Sequence, residues 1–343
     1  MPTSRRRAPR SRFTVAALIL GAAACFSLPA AADTRLAAIR ARGHVTCGVV
    51  ARVAGFTSFN TSGRAIGFEP DLCRAIAAAI FGDGEKVAFV PADAVNQFKS
   101  DASLDLVARR LTVTLQRDAG LGLLFSPVVF YDRTTVMVRT ESAVQDPAAL
   151  ARRPICVRAS SEAAEALVRH FSLNKLELTT VPHPTFEAAA KAFADGACEA
   201  LAGDLSQLAA ERAGRRDLAI LPQTLSKEPL ALLTRAEDVQ FAAVVRWTIY
   251  ALIAAEEMNV TAGNIGSRRR DPDPDVRRLI GESAGNGKAL GLNERWAANA
   301  IRAGGNYGEL FARHLGADSP LKLERGPNAL WTQGGLLYAP PLR

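Results

Sequence analysis

The sequence predicts an α/β protein with two units, each a largely parallel sheet flanked by helices. Three observations carry this. Between Val45 and Ala108 short β-branched runs alternate with helical patterns, in the order strand–helix–strand–helix–strand. From Pro154 to Leu221 the same alternation begins again. The chain has 343 residues, more than one modest core organises.

In the first unit, Thr34 to Arg42 reads as a short amphipathic helix stopped by Gly43, and Val45–Val50 as a first strand. Gly55-Phe56-Thr57-Ser58 reads as a turn that exposes its aromatic ring. A helix is expected from Asp71 to Phe81, because Leu72, Ile76 and Ile80 fall on one face and Gly82-Asp83-Gly84 ends it. Val87–Val90 is a second strand, a short helix spans Asn96–Asp101, and Leu104–Ala108 is a third strand. That strand runs into Arg109, Arg110, Thr112 and Arg117. Ligands of open α/β sheets bind beyond the carboxyl ends of strands. Guanidinium forks grip carboxylates with paired hydrogen bonds, and hydroxyls supply further donors. The segment is therefore the candidate anion-receiving surface.

Phe130–Val138 reads as a strand leaving the first unit. Pro154–Arg158 opens the second, with Ser160-Ser161 capping a helix over Glu162–Phe171. Strands are expected at Glu177–Val181, Glu199–Ala202 and Leu218–Leu221, and helices at Phe186–Asp195 and Ser206–Ala213. Asp204 follows its strand and Gly203, so it can point into a cleft. Ala231–Leu233 returns the chain to the first unit, and Phe241–Met258 is a buried core helix. Val276–Ile280, Glu294–Ala303 and Tyr307–Leu315 are helical, and Trp331 and Tyr338 are expected to anchor a turn-like tail.

The first residues read as a leader. Arg5, Arg6, Arg7, Arg10 and Arg12 precede an apolar run from Phe13 to Leu28, and Pro29-Ala30-Ala31-Ala32 precedes Asp33. A basic start, a short apolar run and small residues describe a signal peptide cleaved after Ala32. Ala22-Ala23-Ala24-Cys25 is a weaker, lipoprotein-like alternative. The five leader arginines account for five of the eight net positive charges, leaving +3. Basic character is thus mostly a targeting feature, and no basic–aromatic interleaving points to nucleic acid.

Four cysteines remain after the leader: Cys47, Cys73, Cys156 and Cys198. An even count in an exported chain permits disulfides, and four cysteines allow three connectivities. Pairing between neighbours, Cys47 with Cys73 and Cys156 with Cys198, costs least, and four buried thiols are the alternative. His44, His170, His183 and His314 follow no metal-site spacing, so no metal and no cofactor is expected. No nucleophile elbow, metal motif or phosphate loop is present, so the residues point to no enzyme.

Several blocks resemble the polar and general L-amino-acid-binding branch of the family 3 solute-binding proteins of bacterial ABC importers. They include Val45-Thr-Cys-Gly-Val49, the run from Asp71 to Asp83 and Ser226-Lys-Glu-Pro-Leu230. Gly287–Leu292, Gly305-Asn-Tyr-Gly-Glu309, Asn328-Ala-Leu-Trp331, Gly334-Gly335 and Tyr338-Ala-Pro-Pro341 complete the set. The resemblance implies a type II periplasmic binding protein with two lobes that close on a free amino acid. It implies residues 1–32 as leader, 33–138 and 229–343 as lobe one, and 139–228 as lobe two. It also implies a monomer in the periplasm that docks on an inner-membrane permease, and it favours disulfides at the four cysteines.

Residue by residue, the resemblance makes Phe56 the aromatic over the ligand, and Arg117 the grip on the α-carboxylate with Thr112 helping. Asp204 would receive the α-ammonium. The departures cluster in the same pocket. Arg110 stands where the branch has a small polar residue, Leu111 where it has threonine and Val113 where it has tryptophan. Arg158-Ala159-Ser160-Ser161-Glu162-Ala163 replaces a hydroxyl-rich run, and Ala202-Gly203 replaces two threonines. Ser161 would keep one hydroxyl contact. Arg109 and Arg110 would receive a second, anionic group of the ligand. Glu162 would need a partner, either Arg110 or Arg158, because an unpaired buried charge is costly. The ligand is then an amino acid or a related anion, with specificity altered. Alternatives on the same fold are a degenerate receptor, a signalling receptor, or a cyclic-carboxylate dehydratase with Glu162 as general acid.

Overall fold

The computed structural model describes Met1 and residues 34–92 and 95–343. The expected leader, its cleavage point and Cys25 lie outside the described residues.

Among the described residues, ten strands join into one continuous ladder. At one end Val87–Pro91, Val45–Val49 and Leu106–Thr112 run parallel. At the other end Thr179–His183, Pro154–Arg158 and Ala200–Asp204 do the same. Two ten-residue strands, Phe130–Arg139 and Ser226–Arg235, link the ends. They pair antiparallel where Phe130–Thr134 faces Ser226–Leu230. Beyond that stretch they part. Leu230–Leu233 pairs with the Leu106–Thr112 strand, and Thr134–Val138 pairs with Ala200–Asp204. This double crossing divides the ladder into two halves.

Each half has its own apolar core. One is built around Val45, Cys47, Val49, Leu72, Ile76, Leu252 and Ile301. The other half holds two smaller clusters, around Ile155, Val157 and Leu167 and around Phe186, Phe193 and Leu201. The Val45–Val49 strand is wholly buried, as expected of a parallel strand covered on both faces. The Val239–Glu257 helix is long and apolar enough to cross a membrane. Here Phe241, Val244, Val245, Ile249 and Leu252 are buried in the larger core, as the sequence predicts. Each half also carries a disulfide, Cys47–Cys73 and Cys156–Cys198, with Cα atoms 6.4 and 5.6 Å apart. The neighbour pairing holds.

Some boundaries differ from expectation for local reasons. The helix expected from Asp71 begins at Phe68. Pro70 falls in its first turn, where a missing N–H costs no intrahelical bond. Gly67 sets this start: its φ is +133°, and a Cβ there would lie 2.3 Å from the Phe56 carbonyl oxygen. The returning strand begins at Ser226, well before Ala231, because Ser226–Pro229 has its own partners in Thr134, Arg133, Asp132 and Tyr131. The third strand starts at Leu106 and runs on through Arg109 and Arg110 to Thr112. In the tail, Trp331 and Tyr338 stay 55% and 56% exposed and pack on each other, with Trp331 Nε1 donating to Glu257 at 3.1 Å. The pair sits on the surface, and Trp331 ties the tail to the body through Glu257.

Candidate functional site

A cavity of about 550 Å³ lies beside the crossing strands and is lined from both halves. Arg109, Arg110, Thr112 and Arg117 enter from one side, and Arg158, Glu162, Phe186 and Asp204 from the other. A larger opening of about 920 Å³ is lined by other parts of the same strands, including Tyr131, Arg133 and Lys227, and by the Lys322–Asn328 tail. The smaller cavity is the candidate site, because it gathers the charged residues that the sequence singled out.

The strand carrying the arginines is bulged. Val107 faces Leu233 and Leu111 faces Ala231, so the interval holds more residues on the arginine strand than on its partner. Arg110 sits in this bulge with φ +51°, a conformation that costs most L residues about 1–2 kcal/mol and that asparagine tolerates better. Its backbone N–H donates to Glu69, a carboxylate only 3% exposed. Burial raises the Glu69 pKa, opposed by this bond and by one from Thr57. Strain at Arg110 is thus held by a buried acceptor.

The Arg110 side chain crosses the cleft. Its Nη2 donates to Asp204 at 2.8 Å, Asp132 at 3.2 Å and the Ser206 hydroxyl at 2.9 Å. The guanidinium lies 4.9 Å over the Phe56 ring. Burial lowers its pKa, but Asp204, Asp132 and Glu69 outweigh this and hold it above the usual arginine value. Asp132 is wholly buried, and burial together with the nearby Asp204 charge pushes its pKa up to about 6. Ser206 supports Asp132 through both its hydroxyl and its backbone N–H.

Arg117 comes from the Leu115–Gly120 helix, capped by the Thr114 hydroxyl. Its Nη2 donates to Glu162 at 2.6 Å and its Nη1 to the Thr112 carbonyl at 3.0 Å. Glu162 is the first residue of the Glu162–Leu173 helix. Burial raises its pKa, but its own backbone N–H and Arg117 prevail and keep it below the usual glutamate value. A carboxylate at a helix start is also favoured by the helix dipole.

Set against the sequence, the structure brings Arg109, Arg110, Thr112, Arg117, Glu162 and Asp204 to one cavity. Four expectations change in detail. Phe56 is not exposed: it is 1% accessible, packed edge-on to Phe68 and Phe130 beneath Arg110. The Thr112 hydroxyl donates to Glu228 at 2.7 Å, so this residue offers Arg117 its carbonyl. The Ser161 hydroxyl caps Ala164 and donates to the Arg158 carbonyl, so its hydrogen bonds are local. Glu162 pairs with Arg117, where Arg110 or Arg158 was expected, and Arg110 pairs with Asp204.

Sequence reasoning missed Glu69, Asp132, Ser206 and Glu228, which hold the expected residues in place. One signal was available. Phe130, Asp132 and Thr134 alternate on the buried face of their strand, and an acid in such a row needs a partner.

The comparisons with known proteins agree with this architecture. Residues 45–316 match the family described as bacterial extracellular solute-binding proteins, family 3. The general L-amino acid-binding periplasmic protein of Rhizobium johnstonii is 39% identical over 321 residues, covering 92% of this chain and 94% of that one. The glutamate/glutamine/aspartate/asparagine-binding protein of Rhodobacter capsulatus is 38% identical, covering 96% and 97%. A solved ABC transporter/periplasmic binding protein from Brucella ovis with glutathione bound superposes with a TM-score of 0.84 at 38% identity, covering 90% of this chain and 99% of that one. With its two-lobed α/β fold and its cleft at the crossing strands, the chain belongs to the family 3 bacterial extracellular solute-binding proteins.

Proposed function

We propose that this protein is the periplasmic receptor of an ABC importer for an amino acid or a related carboxylate, held between two lobes. Lobe one would comprise residues 33–138 and 229–343, and lobe two residues 139–228. One observation carries this reading: Arg117 and Asp204 enter one cavity of about 550 Å³ from opposite sides of the crossing strands. A carboxylate on the ligand meets the Arg117 fork, and closure about the crossing strands brings both lobes onto it. The two relatives named above as amino-acid-binding proteins support this ligand class.

In this reading residues 1–32 direct export and are removed, and the closed form docks on a membrane permease. The protein has no catalytic role. Glu162 supports that: with its pKa held below the usual range it is ionised at neutral pH and is a poor general acid.

The test is intrinsic-fluorescence titration of the protein starting at Asp33 against amino acids and their carboxylate analogues. Arg117→Ala should weaken the best ligand about 10- to 100-fold, the worth of a charge-assisted pair. Unchanged affinity in a folded Arg117→Ala protein would remove Arg117 from the ligand site.

A further inference from the structure

In this cleft both charge anchors already have partners, and each partner has the sign of the matching end of a zwitterion. The Arg110 guanidinium lies on Asp204, where an α-ammonium would go, and the Glu162 carboxylate lies on Arg117, where an α-carboxylate would go. The two pairs differ in how easily they exchange. Arg110 has a side chain 8% exposed and also serves Asp132, Ser206 and the Phe56 face. Moving it would strand Asp132, whose side chain is fully buried. The Arg117–Glu162 pair is 29% and 37% exposed and rests on one contact between the two side chains. A solute carboxylate can exchange with Glu162 there, because the pair is only partly buried and the incoming carboxylate restores the charge-assisted contact to Arg117.

We infer that Arg110 is a built-in substitute for the ligand's α-ammonium, so that the cleft selects carboxylates lacking that group over α-amino acids. Glu162 is then a displaceable plug on Arg117. A solute carboxylate exchanges with Glu162, while an α-ammonium meets a fixed guanidinium and finds Asp204 occupied. Selectivity arises from repulsion built against the amino group as much as from attraction to the acid. The inference rests on the placement of the ligand carboxylate at Arg117.

The experiment is calorimetric titration of the protein starting at Asp33 with matched pairs that differ only in the amino group: glutamate and glutarate, aspartate and succinate, alanine and propionate. The wild type should bind the better desamino acid at least about tenfold more tightly than its amino partner. Arg110→Asn suits the positive φ and should reverse that ratio. Glu162→Gln leaves the Arg110 cluster untouched, removes the competing charge and should tighten the desamino acid about tenfold. Circular dichroism and thermal melts confirm folding of each variant. A wild-type preference for the amino partner overturns the inference but leaves the carboxylate receptor standing. An unchanged ratio in folded Arg110→Asn, or weaker anion binding in Glu162→Gln, also overturns it. If no pair binds to wild type or either variant, the reading of the cleft as a carboxylate site fails as well.

Discussion

Asp132 should make stability fall as pH rises toward neutrality, and Asp132→Asn isolates that effect. Its carboxyl is fully buried and shares the Arg110 guanidinium with Asp204, and its pKa is pushed up to about 6. An unfolded aspartate titrates near pH 3.9. Between those values the folded protein holds a proton that the unfolded chain has released. Its contribution to stability is therefore present at the low end of the window and is lost as pH rises through about 6. For one such group the loss between about pH 4.5 and pH 7.5 is ~2 kcal/mol. No discount for solvent screening applies, because the side chain has no exposure. Asparagine keeps the shape and removes the titration, and Arg110 retains Asp204. Urea unfolding of both proteins at several pH values in this window measures the difference. The wild type should lose about 2 kcal/mol more than Asp132→Asn on going up in pH, because only the wild type carries this titration. Curves that stay parallel to within about 0.5 kcal/mol would show that Asp132 does not hold a proton in the folded state.

Two further perturbations probe the frame that positions the cleft. Asn328 lies in the tail, 3% exposed, accepting from the Tyr131 N–H at 2.6 Å and donating to the Tyr131 carbonyl at 3.1 Å. Asn328→Ala leaves both strand groups without this partner and should cost about 1–3 kcal/mol, read as a shift of the denaturant midpoint. A midpoint equal to wild type would mean that water replaces the side chain freely. Cys156→Ser with Cys198→Ser opens a link across a sequence separation of 42, which should cost about 4 kcal/mol and lower the melting temperature. Reducing agent should then lower the wild-type melting temperature but shift that of the double variant less.

The fold was legible because its signals are local and repeated: apolar runs of strand length, helix faces and glycine stops recur along the chain. The cleft was legible in part, for the same reason. Arg110, Arg117, Glu162 and Asp204 stood out as charges beside strand or helix ends, and those ends converge on one cavity. What the sequence did not reveal is which charge meets which. Arg110 was expected to face outward to a ligand anion, but a bulge turns its backbone to φ +51° and sends the side chain across to Asp204 and Asp132. A bulge depends on the register of two strands more than a hundred residues apart, Leu106–Thr112 and Ser226–Arg235, and no local pattern encodes that. The burial of Phe56 is likewise a long-range event, since Phe68, Phe130 and the Arg110 guanidinium converge on its ring from separate parts of the chain. Residues that depart from a family's pattern can therefore be recognised one at a time in the sequence. Their meaning here is joint: Arg110 and Glu162 matter because each lies on a partner from the opposite side of the cleft.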